Sequence, residues 1–378
     1  MSGVTLENDI LTADSPQKVK VWGTVLEPES SFSGKRYTVD PDGTLRVYSK
    51  CYKQECEIEF LEKNEFKFTI DTRQTANDRN GTSTVFYLPL LHPITQSGSW
   101  LIDWGDGTEE EFSFSAETVG YDTSASPNNK LHDYAGTGGA DEYHITIRPK
   151  FNEGGWFTAF GFNNAVASGG AAALQENRNK IVSLDSPLTP SMFFTYPQIE
   201  SGNCSSVSKV LCYAFYFCKG VDFTMGEDFG FSSGWDRVHN VGADFLHSMF
   251  FGCDGNSFTM NDRFTIPQSI MTAGENFLWQ MFYNCTHDNF QICPQFKFPS
   301  AIPATASNSF YRTFDTNINK SPTFARQIKT TPANIVNGCA APNGQRSTFY
   351  AYSVQKTKDR WGETEINEVP ANWRGAGV

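Results

Sequence analysis

The sequence predicts a mainly β protein with short helices, built as a β-sandwich followed by a solenoid of stacked repeats. Short runs of alternating apolar and polar residues, separated by turn signals, fill the region 61–150 and predict strands. A ten-residue phrase then recurs every 32 to 35 residues, and such a period is typical of stacked repeats. With 32 Phe and only 19% charged residues, the chain has the apolar content for both cores.

Residues 1–60 are predicted to form an attachment region that consists of an arm and a β-hairpin. The stretch "KRYTVDPDGTLRVYSKCYK" alternates on both sides of Pro41-Asp42-Gly43, which is a turn sequence. The first 18 residues show little pattern, so we expect an arm that gains order by pairing with another chain. The alternative is a frayed terminus without function. The apolar residues available for such a contact are Val4, Leu6, Ile10 and Leu11.

The region 61–150 contains four strong strand signals. "FKFTIDT", "STVFYLPL" and "EYHITIRP" each predict a strand, and "SWLIDWGDGTEEEFSF" predicts a strand, a turn at Gly105-Asp106-Gly107 and a second strand. Asp103 and Asp106 also resemble part of a calcium loop. The spacing of an EF-hand is absent, so a structural turn is favoured over a metal site.

Two motifs in this region resemble a PKD-type Ig-like domain. The first is "WGDGT", with Trp104, Gly105, Asp106 and Gly107, and the second is "HDYAGTGGADEYHITI", with His132 and Tyr134. The resemblance covers about 85 residues and implies an Ig-like β-sandwich that serves as a spacer or adhesion module rather than as a catalyst. The region 151–200 then reads as a linker and solenoid cap, with one short strand in "KIVSLDSPL".

The repeated phrase is clearest in "DFLHSMFFGC" at 244–253 and "NFLWQMFYNC" at 276–285. Related copies begin at Val210 and Phe310, and a degenerate last copy is expected to begin at Phe349. One copy cannot bury its own apolar side chains, so neighbouring copies must stack.

Each copy is expected to form a short helix followed by a short strand. Asp244, Asn276 and Ser309 would be N-caps, and Gly252 or Asn284 would end the helix in the left-handed region. The "FTM" or "FTI" sequence that follows would supply the strand. The residues expected to fill the repeat core are Phe215, Cys218, Phe223, Phe245, Met249, Phe250, Cys253, Phe258, Phe277, Met281, Phe282, Cys285, Phe290, Phe310 and Phe314.

The repeats, at 201–345, resemble the BspA-type leucine-rich repeat and related bacterial surface-protein repeats, in which "MF.GC..F" recurs. Here the pattern is Met249-Phe250-Phe251-Gly252-Cys253 with Phe258, and it recurs from Met281 to Phe290. The resemblance implies a leucine-rich-repeat-like α/β solenoid in a surface-exposed adhesion or binding protein, of cells or of phage virions. Residues 346–378 would form a C-terminal cap or tail.

Nine cysteines in a chain of this length do not predict a disulfide framework, and no CxxC pair is present. We expect most of these thiols to pack as small apolar groups. The alternative is a set of redox-active or metal-bound cysteines, since Cys218, Cys253 and Cys285 share one repeat position.

Composition and motifs exclude several classes of function. The net charge of −12 and the lack of Lys/Arg clusters disfavour nucleic-acid binding. The longest apolar run, "VLCYAFYF", is too short to span a bilayer. The sequence lacks the common hydrolase, metalloprotease and nucleotide-binding motifs, so we expect no catalytic residues, no cofactor and no metal.

The function predicted from these features is that of a non-enzymatic virion accessory protein, such as a phage head decoration, a head fibre or a tail-associated protein. The N-terminus does not read as a signal peptide, which favours release by lysis over export. The N-terminal region would bind other virion or surface proteins, homo-oligomers are possible partners, and the repeats would bind a host glycan or protein. The alternatives are a bacterial cell-surface adhesin and a carbohydrate-active enzyme.

Overall fold

The computed structural model describes residues 65–91, 97–114, 128–150, 154–160, 177–287, 290–303, 308–315, 331–339, 348–349, 354–369 and 371–374. Within residues 4–49 it also describes six strands by their backbone. The chain divides into two compact units, Met1–Glu65 and Phe66–Val378. The described residues form several sheets and only short helices, so the protein is mainly β.

The first unit consists of a four-stranded antiparallel sheet and a separate hairpin. Its strands are β1 (Val4–Glu7), β2 (Ile10–Ala13), β3 (Lys18–Trp22), β4 (Val25–Glu29), β5 (Lys35–Val39) and β6 (Leu45–Ser49). The sheet order is β1-β2-β5-β6, and β3 pairs with β4. The predicted hairpin is confirmed as β5 and β6. The expectation of an unpatterned arm is wrong, because β1 and β2 pair with each other and β2 pairs with β5.

The second unit begins with seven strands. These are β7 (Phe66–Asp71), β8 (Val85–Leu91), β9 (Gly98–Asp103), β10 (Glu109–Phe114), β11 (Asn128–Asp133), β12 (Glu142–Pro149) and β13 (Ala159–Phe160). Five more strands follow: β14 (Ile181–Leu184), β15 (Asn203–Cys204), β16 (Thr224–Met225), β17 (Asn240–Val241) and β18 (Thr272–Ala273). The alternating patterns predicted β7, β8, β9, β10, β12 and β14, whereas β11 and β13 were not predicted.

Two sheets of this unit pack against each other through aromatic side chains. One has the order β10-β9-β12-β7-β14-β16, and the other has the order β11-β8-β13. The ring centroid of Phe68 on β7 lies 6.1 Å from that of Phe86 on β8 and 5.7 Å from that of Phe160 on β13. Large rings remove much apolar area from water, so these contacts contribute strongly to holding the two sheets together.

The larger sheet runs from the predicted sandwich into the predicted repeats. β14 pairs antiparallel with β7 on one side and parallel with β16 on the other. Gln74 adds a second connection, because its Nε2 donates to the carbonyls of Asn179 and Ile181 while its Oε1 accepts from the N–H of Asp222. The expected boundaries at 150 and 200 therefore lie within one packed unit that shares one hydrophobic core.

Successive repeat copies lie side by side in the same direction. β15, β17 and β18 form a parallel sheet in which Asn203 pairs with Asn240 and Asn240 pairs with Thr272. The predicted strand position holds only for the first copy, where β16 is formed by Thr224–Met225. In the next two copies the strand precedes the repeated phrase instead.

The helices of the second unit are short. They are α1 (Pro190–Phe193), α2 (Tyr196–Ser201), α3 (Pro332–Val336), α4 (Val354–Trp361), α5 (Glu363–Asn367) and α6 (Ala371–Arg374). α4 and α6 place two tryptophans against the last copies: Trp361 donates its Nε1–H to the carbonyl of Phe349, and Trp373 lies 5.3 Å from the ring of Phe310. No helix among the described residues is long and apolar enough to cross a membrane.

Candidate functional site

The repeated phrase folds as a ribbon of overlapping turns, and this corrects the prediction of a short helix. In the second copy the N–H groups of Met249, Phe251 and Cys253 each donate to the carbonyl three residues earlier. The alternate residues Asp244, Leu246 and Ser248 have φ values of 58°, 57° and 52°. A right-handed helix cannot contain these left-handed residues. Asp244, Asn276 and Ser309 are therefore not N-caps, because turns and not a helix follow each of them.

The remaining N–H groups of the ribbon bind the neighbouring copy. Phe215 donates to Met249, Phe250 donates to Met281, and Phe282 donates to Thr313, with N···O distances of 2.8–3.0 Å. The ribbon thus satisfies half of its donors internally and half across the stack, which buried backbone requires. At its end, Gly252 (φ 67°) and Asn284 (φ 57°) adopt the predicted left-handed conformation, but they end a ribbon of turns and not the predicted helix.

The stacked copies bury three columns of phenylalanine rings. In the first, Phe215, Phe250, Phe282 and Phe314 follow one another at 5.4, 5.5 and 5.6 Å. Phe349 stacks on Phe314 at 5.9 Å, so it occupies the central position of its copy and not the first position as predicted. All fifteen residues expected in the repeat core are buried: Phe215, Cys218, Phe223, Phe245, Met249, Phe250, Cys253, Phe258, Phe277, Met281, Phe282, Cys285, Phe290, Phe310 and Phe314.

The second and third columns lie beside the first. The second is formed by Phe223, Phe258 and Phe290, with steps of 5.2 and 5.4 Å. The third was missed from the sequence and is formed by the rings of Phe229, Phe264 and Phe296. Its signal was present, because these three residues recur at intervals of 35 and 32 residues, as the other columns do.

The repeated cysteines belong to the core. The Sγ of Cys253 lies 3.0 Å from the carbonyl oxygen of Phe215, and the Sγ of Cys285 lies 3.1 Å from that of Phe250. Burial raises the pKa of the Cys218 thiol to about 12 and raises that of Cys253 well above its ordinary value. The seven cysteines of the described residues are buried and unbridged, and Cys51 and Cys56 lie outside those residues. This environment holds the thiols in their unreactive protonated form.

Beside the phenylalanine columns, further aromatic side chains form a stripe that crosses the copies. We call this stripe the aromatic face. Its residues are Tyr213, Tyr216, Phe217, His247, Phe251, Trp279, Tyr283 and Tyr311. Six of them are half-buried, whereas His247 and Tyr283 are buried. One row consists of Tyr216, Phe251 and Tyr283, whose rings stack at 4.8 Å in both steps.

The second row of the aromatic face runs parallel to the first. His247 lies 4.9 Å from the ring of Tyr213 and stacks on Trp279 at 4.8 Å, and Trp279 contacts Tyr311 at 6.1 Å. His247 is held by Asp244, with Nδ1 3.1 Å from Oδ1. Burial raises the pKa of Tyr213 to about 12, so its phenol remains a neutral hydrogen-bonding group at physiological pH.

Cations lie over the rings at both ends of the aromatic face. At one end the guanidinium of Arg312 lies 5.2 Å from the ring of Tyr311 and 6.0 Å from that of Tyr283. At the other end, Arg178 and Lys219 lie 5.3 and 4.8 Å from the ring of Phe217. Aromatic residues and arginine are enriched where proteins bind partners, so this face is the candidate functional site. Some of these positions lie in the predicted repeats, but the sequence pattern does not predict that they share a surface.

The residues of the PKD-like motif form a compact cluster away from this face. Asp106 contacts His132 (Oδ2···Nε2 2.8 Å) and accepts from the N–H and hydroxyl of Thr108. Tyr134 donates its hydroxyl to the carbonyl of Trp104, whose ring stacks on His132 at 4.6 Å. Burial acts to raise the pKa of Asp106, but the hydrogen bonds outweigh it and hold that pKa below its usual range. The cluster fixes the turn and leaves few groups for chemistry.

Two glycines make this turn possible. Gly105 (φ 79°) passes so close to the backbone of His144 that a Cβ atom would lie 2.5 Å from its carbonyl oxygen. Gly107 (φ 89°) also requires the left-handed region. Among the described residues, no group of three or more His, Cys, Asp or Glu is placed to hold a metal ion.

The four attachment candidates lie on strands of the first unit. Val4 and Leu6 belong to β1, and Ile10 and Leu11 belong to β2. The register pairs Leu6 with Leu11, and it pairs Ile10 with Glu7. β1 is the terminal strand of its sheet.

The comparisons with known proteins add no relative: no family model, no curated protein and no solved structure matches this chain.

Proposed function

We propose that the protein is a non-enzymatic accessory structural protein of a virion surface, and that it binds a host-surface glycan or protein through the aromatic face. The observation that supports this proposal is the face itself. Its two rows of aromatic side chains cross several repeat copies, and six of the eight residues are half-buried, so that part of each of these six side chains is open to a ligand. Tyr and Trp combine a large apolar surface with a polar tip, which suits them to a contact that is alternately wet and covered.

The shape of the face favours an extended ligand. The contacts run along the stack, from Tyr216 through Phe251 to Tyr283 in one row and from Tyr213 to Tyr311 in the other. A stripe two residues wide offers little area to a globular partner, whereas a chain of sugar units can follow it. A polysaccharide on the host surface is therefore the preferred ligand.

We also infer the finer architecture behind this face. The two aromatic-packed sheets would form an Ig-like β-sandwich of the PKD kind, and the stacked copies would form a solenoid of the BspA kind. The parallel pairing of β15, β17 and β18 and the three phenylalanine columns support the solenoid. The contact between Phe68 and Phe86 supports the sandwich.

The first unit would attach the protein to the particle. β1 is a terminal strand, and such a strand can pair with an added strand of another protein. Mass spectrometry of gradient-purified particles from the natural source tests the location. Recovery of the chain in particles supports a virion protein, and recovery only in the cell-envelope fraction supports the alternative of a bacterial adhesin.

Binding through the face is tested with a glycan microarray and the full-length protein. We expect Trp279→Ala and Tyr216→Ala to reduce binding at least tenfold, because aromatic anchors at the centre of an interface typically contribute 2 kcal/mol or more. Tyr87→Ala is the matched control, since Tyr87 is a half-buried tyrosine on β8 outside the face. Equal losses in all three variants, or none in any, would remove the face as the binding site.

A further inference from the structure

The two ends of the aromatic face differ in how their cations are neutralised. At the Tyr311 end, the Nε of Arg312 lies 3.2 Å from a carboxylate oxygen of Asp315. At the Phe217 end, neither Arg178 nor Lys219 forms an ion pair with any carboxylate in the part of the chain that the structure describes. Among the described residues, only the Tyr311 end of the face has an acidic partner for its cation.

This lack of acidic partners is unusual for this molecule. The chain has 42 acidic and 30 basic residues. Among the described residues, Arg73, Arg79, Arg148, Arg263 and Arg312 each form an ion pair with a carboxylate. Arg79 contacts Asp222, Arg148 contacts Glu109, and Arg263 contacts Asp228. In a chain of net charge −12, two neighbouring cations without a carboxylate mark a specific place rather than an average surface.

A second lysine shows what the ordinary arrangement looks like. Lys130 lies 4.7 Å from the ring of Phe112, much as Lys219 lies over Phe217. Lys130 also contacts Glu110, with Nζ 3.4 Å from Oε2. The cation over Phe112 thus has an anion beside it, whereas in the described part of the chain the cations over Phe217 contact the ring and a backbone carbonyl but no carboxylate.

Arg178 is held firmly in this position. Its Nη1 donates to the carbonyl of Tyr216 at 3.2 Å, and its Nε has no hydrogen-bond partner and is shielded from solvent. Burial lowers the pKa of Arg178, because the charged form loses part of its hydration. A shielded cation of this kind is stabilised when an anion completes its environment.

We propose that Arg178 and Lys219 bind a carboxylate of the ligand, so that the aromatic face recognises an acidic glycan whose sugar units carry carboxylate groups. This inference rests on the proposed function and adds the chemical class of the ligand. The sugar chain would extend from Phe217 along the rows towards Tyr283 and Tyr311, and its acidic group would contact the two cations.

The test uses pairs of soluble oligosaccharides that differ only in the carboxylate. Oligogalacturonate and oligosialic acid are each compared with their carboxyl-reduced, neutral counterparts by calorimetric titration of the full-length protein. We expect at least one acidic oligomer to bind about tenfold or more tightly than its neutral counterpart. Because the contact is ionic, the preference should weaken as salt rises.

The variants assign the preference to particular residues. Lys219→Gln and Arg178→Gln should reduce affinity for the acidic oligomer about tenfold and leave affinity for the neutral one unchanged. Lys130→Gln is the matched control, because it removes a lysine from a phenylalanine ring elsewhere, and it should change neither affinity. Arg178→Lys, which keeps the charge, should retain most of the preference if Arg178→Gln does not fold.

The possible results distinguish failure of the acidic-ligand inference from failure of the proposed binding function. In one outcome, acidic and neutral oligomers bind equally, Lys219→Gln has no effect, and Trp279→Ala reduces binding. This result would overturn the inference that the ligand is acidic, but it would still support the aromatic face as the binding site. Polyglutamate that binds as tightly and with the same dependence on Lys219 overturns the carbohydrate assignment. If the wild-type protein binds no sugar on the glycan array, and Trp279→Ala binds every tested oligomer as the wild type does, the proposed function itself is overturned.

Discussion

The rings of Phe250 and Phe282 lie 5.5 Å apart with an angle of 6° between their planes. Both side chains are fully buried, and they belong to copies of the repeat that are 32 residues apart in sequence. The contact therefore joins two copies directly, and each ring also covers a face of the next ring in its column. A truncation at this position leaves a cavity that the ribbon cannot close, because its backbone is bonded to both neighbouring copies.

Phe282→Ala should lower the free energy of unfolding by about 3–5 kcal/mol. Urea unfolding followed by tryptophan fluorescence measures the loss. Phe251→Ala is the control, since Phe251 is a half-buried phenylalanine of the same ribbon and should lose much less. A loss at Phe282 no larger than that at Phe251 would contradict the stacked-core arrangement.

The repeated thiols should react only when the protein unfolds. Burial raises the pKa of Cys218 to about 12 from an ordinary value of 9.0, so the folded protein keeps this thiol protonated where the unfolded chain releases the proton. Its stabilising contribution is complete below pH 9 and is lost as pH rises towards 12. Labelling with iodoacetamide at pH 8 should be negligible in buffer and complete in denaturant.

The pH dependence gives a second check on the thiols. Cys218→Ala should reduce the fall in stability between pH 9 and pH 11, by up to about 1.4 kcal/mol per pH unit. Fast labelling of the folded protein, or stoichiometric zinc in elemental analysis, would support the redox or metal alternative instead.

The burial of the repeat core could be predicted from sequence because it depends only on spacing. Phe250 and Phe282 recur at a fixed period, and any stacked arrangement buries them. The backbone could not be predicted in the same way, since a helix and a ribbon of turns both place Met281 and Phe282 in the core. Asp244, Asn276 and Asn284 were a usable signal, because Asn and Asp tolerate the left-handed region better than most residues. Asn and Asp also favour N-caps, and this second preference predicted helices where the chain forms a ribbon of turns.

The continuity between the two aromatic-packed sheets and the repeats could not be predicted, because it depends on contacts between distant residues. β14 pairs with β7, which precedes it by more than a hundred residues. The aromatic face was missed for a related reason. Its residues are not identical from copy to copy, so His247, Trp279 and Tyr311 show no repeat until the copies are stacked.

Asp106 should make the protein sensitive to acid. Its pKa is held below the ordinary value of 3.8, so the carboxylate contributes stability above pH 4 that is lost as pH falls through the folded-state pKa. Asp106→Asn should destabilise the protein at pH 7 by about 1–3 kcal/mol, because His132 and Thr137 lose a charged acceptor. Its stability should also depend less on pH between 2 and 5. Thermal unfolding of both proteins across that range measures this, and parallel curves would be the contrary result.

Gln74 should couple the strands of the two aromatic-packed sheets to the repeats. Gln74→Leu keeps the volume but leaves the carbonyls of Asn179 and Ile181 and the N–H of Asp222 without this partner. We expect a loss of about 1–3 kcal/mol. Gln291→Leu, at a half-buried glutamine within the repeats, is the control.

In differential scanning calorimetry the wild-type unit Phe66–Val378 should unfold in one transition. Two resolved transitions in the wild type would favour separate domains divided near residue 150.

Attachment through the first unit is the last prediction. Deleting residues 1–17 should leave the second unit folded, because that unit has its own core, and should abolish incorporation into particles or oligomers. Since β1 and β2 form half of their sheet, point variants are needed beside the deletion. Thr5→Pro and Leu6→Pro are made separately, because successive N–H groups point to opposite sides of a strand. One of the two variants therefore removes an N–H group only from the outer edge of β1, where no strand of the same sheet pairs with it. That variant should keep its circular dichroism spectrum and lose co-sedimentation with particles. If both variants and the deletion assemble like the wild type, β1 is not the attachment strand, and the hairpin of β5 and β6 becomes the element to test.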